Sequence, residues 1–325
     1  MSENHYLPEG ALIGTPENRE ALSSPAALER AMQQGKILEG VATLCDGSLN
    51  LIVDLGCMKG IMYKNEVSYT ADGETQKDIA IISRVGKAVA FRVLAIRQDE
   101  KGTPFAILSR RAAQLECLNR YLMTLVSGDI IPAKITHLEH FGAFVDIGCG
   151  IPSLLSIDCI SVSRISHPRD RFYVGMTIKA VVKSIDPDNA RIYVTHKELL
   201  GTWEENVACF KIGQTVMGIV RSIEDYGVFI ELSPNLAGLA EYRSDISVGQ
   251  TVAVYIKNII PERMKIKLVI IDSCKGMESC QSVGGKSETG SSVFSYFISP
   301  EKEHIDYWKY SPCGTGKVIE SRFSS

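Results

Sequence analysis

Two short segments of the chain place aromatic rings around a glycine in the same pattern. One segment runs from His140 to Ile147, and the other runs from Asp225 to Leu232, 85 residues further along. In each segment an aromatic residue precedes the glycine, and a phenylalanine follows the glycine two positions later. Flat rings on a strand surface stack on unpaired bases, with about 1–3 kcal/mol per base and little sequence preference. The rings that predict such a surface are Phe141, Phe144, Tyr226 and Phe229.

Strand alternation predicts which neighbouring side chains share this surface. Val145 and Ile147 point inward, so Phe144 points outward. Strict alternation would place Phe141 inside, and we expect a glycine bulge at Gly142 to re-aim its ring. Arginine on the same surface binds a phosphate or stacks on a base. On later strands the residues expected to face outward are Arg191, Tyr193, Thr195, Lys265 and Lys267.

The alternative interpretation of the four rings is a packed aromatic core, which is common in small barrels. Duplication of the pattern beside separate aliphatic core positions favours the outward surface. Other polar residues are interpreted as ordinary surface. The arginines of a solvated loop are Arg164, Arg169 and Arg171, and the histidines assigned to the surface are His137, His140, His167 and His196.

The strands that position the rings belong to a unit that occurs three times in the chain, at 35–111, 128–198 and 211–272. Each unit contains about five short strands rich in β-branched residues and separated by Gly, Pro and Asp. The third unit lacks about 11 residues present in the second. In the first unit, Leu49 and Ile52 occupy the positions of the ring pair.

The remaining segments connect or flank these units. Helical patterns are predicted before the first unit and in both linkers, and a Gly/Ser-rich tether is predicted before a C-terminal appendage of unassigned role. Short strands are expected in the appendage at Val293–Ile298, Tyr307–Tyr310 and Lys317–Phe323. The predicted segments are a helical N-terminal segment (1–34), helical linkers (112–127 and 199–210), a tether (273–292) and an appendage (293–325).

The glycine, aromatic and basic positions of the second unit resemble the S1 RNA-binding domain, the OB-fold repeat of bacterial ribosomal protein S1. The resemblance is close over 128–198, shortened over 211–272 and weak over 35–111. Three such units joined by short helices are similar to the short ribosomal protein S1 homologues of Gram-positive bacteria. The resemblance implies an all-β array of tandem five-stranded OB-fold barrels, with single-stranded RNA as the ligand.

The sequence also departs from that family. The histidine usual in the middle of the domain is replaced by Tyr63, Ser156 and Glu241 in the three units. The first unit lacks the rings needed for stacking, so we expect it to bind RNA poorly and to face a protein instead. By family analogy, residues 35–111 are the expected contact with the 30S ribosomal subunit.

Charge and motifs limit the other function classes. The net charge is −3, and the second unit carries 8 basic and 8 acidic residues, which excludes nucleic-acid coating by charge alone. The nine cysteines form no Cys-x-x-Cys pair, and Gly284-Gly285-Lys286-Ser287 lacks the first glycine of a phosphate loop. We therefore predict no metal, no cofactor and no enzymatic activity. No apolar run is long enough to cross a membrane and no secretory signal is evident, so a cytoplasmic protein is expected.

The sequence thus predicts a protein that binds single-stranded RNA, expected to be messenger RNA at the small ribosomal subunit, and supports translation initiation. The expected RNA-binding residues are Phe141, Phe144, Arg191, Tyr193, Tyr226, Phe229 and Lys265. Two alternatives remain open at this stage. One is a free RNA-binding regulator or RNA-decay factor, and the other is a protein-interaction scaffold that uses the barrel faces.

Overall fold

Three closed five-stranded barrels follow one another along the chain. In each barrel the first strand pairs antiparallel with the second and the fourth, and the third strand pairs parallel with the fifth. This topology confirms the predicted fold class of tandem five-stranded barrels of the OB type, joined by short helices. The computed structural model describes residues 6–70, 77–186, 189, 191–273 and 295–323.

The first barrel is preceded by two short helices, α1 (Pro16–Leu22) and α2 (Pro25–Gln33). The side chains of Thr15 and Ser24 cap these helices, and each helix has a proline in its first turn, where no hydrogen bond is lost. A third helix, α3 (Asp78–Ile82), lies between the third and fourth strands. The strands are β1 (Ile37–Cys45), β2 (Leu51–Asp54), β3 (Lys59–Met62), β4 (Ala88–Gln98) and β5 (Pro104–Ser109).

The second barrel is reached through helix α4 (Arg110–Arg120) and a 3-10 turn at Leu122–Thr124. The Ser109 hydroxyl caps α4 by accepting the Ala112 N–H. Three further 3-10 turns, at Ile157–Cys159, Pro168–Asp170 and Lys197–Leu200, surround this barrel. Its strands are β6 (Ile130–Glu139), β7 (Gly142–Asp146), β8 (Pro152–Ser156), β9 (Thr177–Asp186) and β10 (Arg191–Thr195).

The third barrel follows helix α5 (Trp203–Val207), which begins with the capping box formed by Thr202 and Glu205. A 3-10 turn at Pro261–Arg263 separates its last two strands. The strands are β11 (Thr215–Glu224), β12 (Gly227–Ser233), β13 (Leu236–Ala240), β14 (Thr251–Ile260) and β15 (Lys265–Ser273). A two-stranded sheet of β16 (Tyr307–Lys309) and β17 (Glu320–Arg322) follows near the C-terminus.

Aliphatic side chains fill the barrels. In the second barrel Val145, Ile192 and Val194 are buried, whereas Phe144 and Tyr193, next to them along β7 and β10, are half-buried. Because strand side chains alternate in direction, a buried aliphatic row leaves the opposite row for solvent. The predicted inward positions are therefore confirmed, and the four ring positions are left outside the core.

A cluster of charged and hydrogen-bonded residues joins the first and second barrels. The carboxylate of Glu9, in the segment before α1, accepts hydrogen bonds from Arg110 Nε (2.6 Å) and from the Ala90 N–H (3.0 Å). The Glu9 N–H donates to Asp146 at the end of β7 (2.7 Å), and Lys134 donates to the Glu9 carbonyl. Burial raises the pKa of Glu9, but the Arg110 guanidinium outweighs this and holds it below its usual value. We call this contact joint 1.

The C-terminal segment, residues 295–323, joins the second and third barrels. The Ile305 N–H donates to Gly128 at the start of the second barrel (2.9 Å), and the Tyr310 hydroxyl donates to the Asn235 carbonyl in the third barrel. Ile305, Trp308 and Phe323 are buried in the same apolar cluster as the third barrel's core. We call this contact joint 2, and it gives the appendage a structural role that the sequence did not assign.

The strands expected in this region are only partly present. The strand expected at Val293–Ile298 is wrong for residues 295–298, whose backbone pairs with no strand, while 293–294 lie outside the described residues. The other two expected segments contain β16 and β17. The predicted Gly/Ser-rich tether at 273–292 lies, apart from its first residue, outside the described residues.

Candidate nucleic-acid interface

The ring pair of the second barrel lies on its outer surface. Phe141 is 56% exposed, Phe144 is half-buried, and their ring centroids lie 6.0 Å apart at 90°. Residue 142, between the two rings, must be glycine because the β8 backbone lies too close for a side chain. A Cβ at this position would lie 2.5 Å from the Leu155 carbonyl oxygen. The edge-to-face arrangement leaves one face of the pair open to a base.

The third barrel repeats this geometry with different residues. Tyr226 is 70% exposed, Phe229 is half-buried, and the centroids lie 6.1 Å apart at 88°. Gly227 adopts a φ of +149°, and a Cβ there would lie 2.5 Å from the Ala240 carbonyl oxygen. The agreement of both pairs in distance and angle shows that the duplicated sequence pattern encodes one local structure.

The expected bulge at Gly142 is wrong. The bulge beside the ring pair lies on β6, between Ile135 and His137, and equivalent bulges occur on β1 and β11. Phe141 turns outward because it precedes the first residue of β7 and is free of the alternation along that strand. The outward direction of Phe141 was predicted correctly, but for the wrong reason.

Neighbouring strands extend the surface into a row across the second barrel. Phe144 pairs with Leu154 on β8, and Leu154 pairs with Tyr193 on β10. Leu154 and Tyr193 are half-buried, and Arg191 is exposed at the beginning of β10. We call this set the second-barrel row: Phe144, Leu154 and Tyr193.

The equivalent row of the third barrel consists of Phe229, Leu239 and Lys267. Lys267 thus replaces the tyrosine of the second barrel, and Lys265, two positions earlier, is exposed in the place of Arg191. The structure therefore brings the seven sequence-predicted site residues together into two groups, one on each barrel. The second group contains one ring fewer, and Lys267 adds one cation to it.

The first barrel carries an aliphatic row at the same positions. Ile52 pairs with Ile61 on β3, which pairs with Ile107 on β5, and Leu44 on β1 lies beside Ile52. Leu44 is 57% exposed, whereas the three isoleucines are half-buried. Leu49, at the position of the first ring, adopts a φ of +63° and packs against the core. This row offers no ring to a base.

Three residues assigned to the surface by sequence lie elsewhere. Thr195 is buried, and its hydroxyl donates to the Glu198 carboxylate (2.7 Å). His196 is fully buried and contacts the Ile160 carbonyl oxygen (3.1 Å), and burial lowers its pKa to about 4. Arg171 is buried between the second and third barrels, with its Nη2 2.5 Å from Glu231 Oε2. Arg171 and His196 are buried against Glu231 of the third barrel and Tyr296 of the C-terminal segment, which strand alternation within one unit does not reveal, whereas Thr195 is covered within its own unit, near the Cys159 carbonyl oxygen.

The sequence assigned His137 to the surface but did not predict its position beside the ring pair. His137 on β6 pairs directly with Phe144, and their ring centroids lie 6.4 Å apart. The signal was present in the sequence, because the strand before each ring pair must run alongside it. Alternation from the buried Ile135 would nevertheless turn His137 inward, and the bulge between the two residues turns it outward beside Phe144.

The described residues contain no cluster of three or more His, Cys, Asp or Glu side chains arranged to hold a metal ion. Within the same ranges, no helix is long and apolar enough to cross a membrane. The described cysteines are all free thiols.

Comparison with known proteins agrees with this geometry. The family model of the S1 RNA binding domain matches residues 125–197, which contain the whole second barrel. The chain is 28% identical over 279 residues to the small ribosomal subunit protein bS1 of Staphylococcus aureus strain COL, covering 80% of this chain and 68% of that protein. The chain is a homologue of bacterial ribosomal protein S1.

Other S1 proteins match over less of their own length. The small ribosomal subunit protein bS1 of Chlamydia muridarum is 31% identical over 227 residues, which cover 66% of this chain and 39% of that protein. Among solved structures, a multidomain protein with nucleic acid binding domains from Streptococcus pneumoniae aligns over 76% of both chains, at 14% identity and a TM-score of 0.24. The curated relatives are ribosomal proteins, and the matched domain is described as RNA-binding.

Proposed function

We propose that this S1 homologue binds single-stranded messenger RNA through the second and third barrels and acts at the small ribosomal subunit to support translation initiation. The single observation that carries the proposal is the pair of solvent-exposed, edge-to-face ring pairs at equivalent positions of two S1-type barrels. The residues proposed to contact RNA are Phe141, Phe144, Arg191, Tyr193, Tyr226, Phe229 and Lys265.

Stacking dominates the proposed binding. Each ring pair offers a face to an unpaired base, and the cations beside it are few: Arg191 on the second barrel, and Lys265 and Lys267 on the third. Two weak sites on one chain gain affinity by raising the effective concentration of the second site once the first is occupied. Joint 2 favours this gain in affinity because it holds the second and third barrels together. Less conformational entropy is then lost when one RNA strand binds to both barrels.

The first barrel is proposed to contact protein on the ribosomal subunit. Its row of Leu44, Ile52, Ile61 and Ile107 is apolar where the other barrels carry rings. Apolar side chains that remain exposed favour contact with a protein surface. We propose a cytoplasmic protein without enzymatic activity, in keeping with relatives that are ribosomal proteins.

Co-sedimentation with 30S subunits tests the ribosomal part of the proposal. The full chain is expected to pellet with the subunits, and a Leu44→Asp variant is expected to remain in the supernatant while retaining oligonucleotide binding. A chain that binds an unstructured oligonucleotide but never pellets with the subunits would favour the free RNA-binding regulator. A chain that binds no oligonucleotide would favour the protein scaffold.

A further inference from the structure

We propose that His137 is a further RNA-contacting residue and that it makes the second barrel the stronger of the two RNA sites. This inference rests on the proposed function and names a residue of that same site. It is drawn from the position of His137 beside the ring pair, on a strand that neither ring occupies.

His137 lies at the edge of the second-barrel row. It pairs with Phe144 across β6 and β7, so the outward-facing positions run from His137 through Phe144 and Leu154 to Tyr193 on four neighbouring strands. The imidazole is tilted by 31° relative to the Phe144 ring, and the His137 side chain is 63% exposed. Because neighbouring strands lie about 4.8 Å apart, the extended row is roughly 14 Å long, which is enough for more than one base.

The chemistry of the imidazole suits this position. Histidine is among the side chains on which unpaired RNA bases stack, and its ring nitrogens also form hydrogen bonds. Its Nε2 lies 2.6 Å from Glu139 Oε1, two positions along the same strand. This contact is made at the ring edge, so it fixes the orientation of the imidazole and leaves the ring faces available to a base.

The third barrel provides the contrast. The residue that pairs with Phe229 on β11 is Ser222, and Lys267 stands at the end of that row. The second barrel therefore presents His137 and Tyr193 in addition to its ring pair, whereas the third presents a hydroxyl and an ammonium group. If stacking dominates, the second barrel binds an unstructured strand more tightly.

The experiment exchanges the two residues in the full chain. Binding of a fluorescent, unstructured oligonucleotide is measured by anisotropy in a background with Tyr226→Ala and Phe229→Ala, so that the second barrel reports alone. His137→Ser, which installs the residue of the third barrel, is expected to weaken binding by about 5-fold or more. In the reciprocal background, with Phe141→Ala and Phe144→Ala, Ser222→His is expected to strengthen binding by the third barrel.

Controls separate this inference from the proposed function. Glu139→Gln keeps the imidazole and is expected to retain most of the affinity, and urea unfolding should show that His137→Ser is as stable as its parent because the side chain is exposed. If His137→Ser binds as tightly as its parent while Phe144→Ala does not, the inference is overturned and the proposed function stands. If Phe144→Ala also binds normally, the proposed function fails as well.

Discussion

The first and second barrels have one topology and two different surfaces. Both have five strands in the same order, and the bulge on the first strand precedes the same outward row. In that row the second barrel places Phe144 and Tyr193, and the first barrel places Ile52 and Ile107. The difference teaches that the barrel fold fixes where the surface lies, while a few outward side chains decide what binds to it.

The two joints between the barrels are also stabilised by different interactions. Joint 1 depends on a buried ion pair, Glu9 with Arg110, whose guanidinium is wholly removed from solvent. Joint 2 depends on apolar residues of the C-terminal segment and on the buried His196, whose ring centroid lies 5.7 Å from that of Tyr296 in this segment. The first barrel is therefore expected to matter for assembly of the chain, and the second for RNA binding. Each of the following predictions tests one side of this comparison.

The largest expected effect is on stability at joint 1. Arg110→Met leaves the buried carboxylate of Glu9 with only its longer contact to Arg84 (3.4 Å), which is expected to lower the free energy of unfolding by about 3–5 kcal/mol. Urea unfolding monitored by circular dichroism measures the change. Affinity for an unstructured oligonucleotide, measured where the variant is folded, should stay close to that of the wild type. A large loss of affinity without a loss of stability would contradict the division of roles.

The next largest effect is on RNA affinity, which a matched pair of substitutions compares between the second-barrel row and the aliphatic row of the first barrel. Phe144→Ala removes a stacking ring and is expected to weaken RNA binding by about 1–3 kcal/mol, or roughly 5- to 150-fold. Ile52→Ala changes the equivalent residue of the first barrel and is expected to leave RNA affinity unchanged. Anisotropy titrations of both variants test this comparison. Equal losses for the two variants would show that the rings have no special role.

Lowering the pH is expected to change the stability of the two joints in opposite directions. Burial lowers the pKa of His196 to about 4, so the unfolded chain, with a histidine pKa of about 6.5, binds more protons between these values. The neutral His196 therefore stabilises the folded protein fully above pH 6.5, and this stabilisation is lost as the pH falls toward 4. At joint 1, Glu39 on β1 accepts the N–H of Gly10, next to Glu9, and burial raises the pKa of Glu39 to about 7 and also raises that of Asp146. The stabilisation of the folded protein by these two groups is therefore lost as the pH rises.

Because these opposite contributions partly cancel, the test compares two proteins. Between pH 7 and pH 5 the wild type is expected to lose about 2 kcal/mol more than His196→Gln, which lacks the titrating imidazole. Free energies of unfolding from urea titrations at both pH values give the difference. The same pH dependence in both proteins would mean that His196 is not kept neutral by joint 2.

The smallest effect is the salt dependence of RNA binding. A single-stranded ligand gives a slope of about −0.7 in log K against log salt for each phosphate contact, so Arg191, Lys265 and Lys267 predict a slope of about −2. Arg191→Ala is expected to reduce its magnitude by about 0.7. Affinities at several salt concentrations measure both slopes. A slope beyond about −4 would require six or more contacts and would contradict binding dominated by stacking.

Much of the fold could be predicted from the sequence because its signals are local. Glycines at close approaches, alternating aliphatic residues and the 85-residue offset specify three barrels and the outward direction of Phe144 and Phe229. The same reading missed His137, since the register between β6 and β7 shifts by one residue at the bulge. It also gave the wrong cause for the direction of Phe141.

The sequence by itself determined the repeat, the barrels and the rings, because strand alternation and close backbone contacts act between residues within one unit. Only the tertiary structure decided that Arg171 and His196 are buried, against Glu231 and Tyr296, which lie far along the chain from them. It also decided that residues 295–323 hold two barrels together. Burial between units depends on which faces meet, and no periodicity within a single unit carries that information.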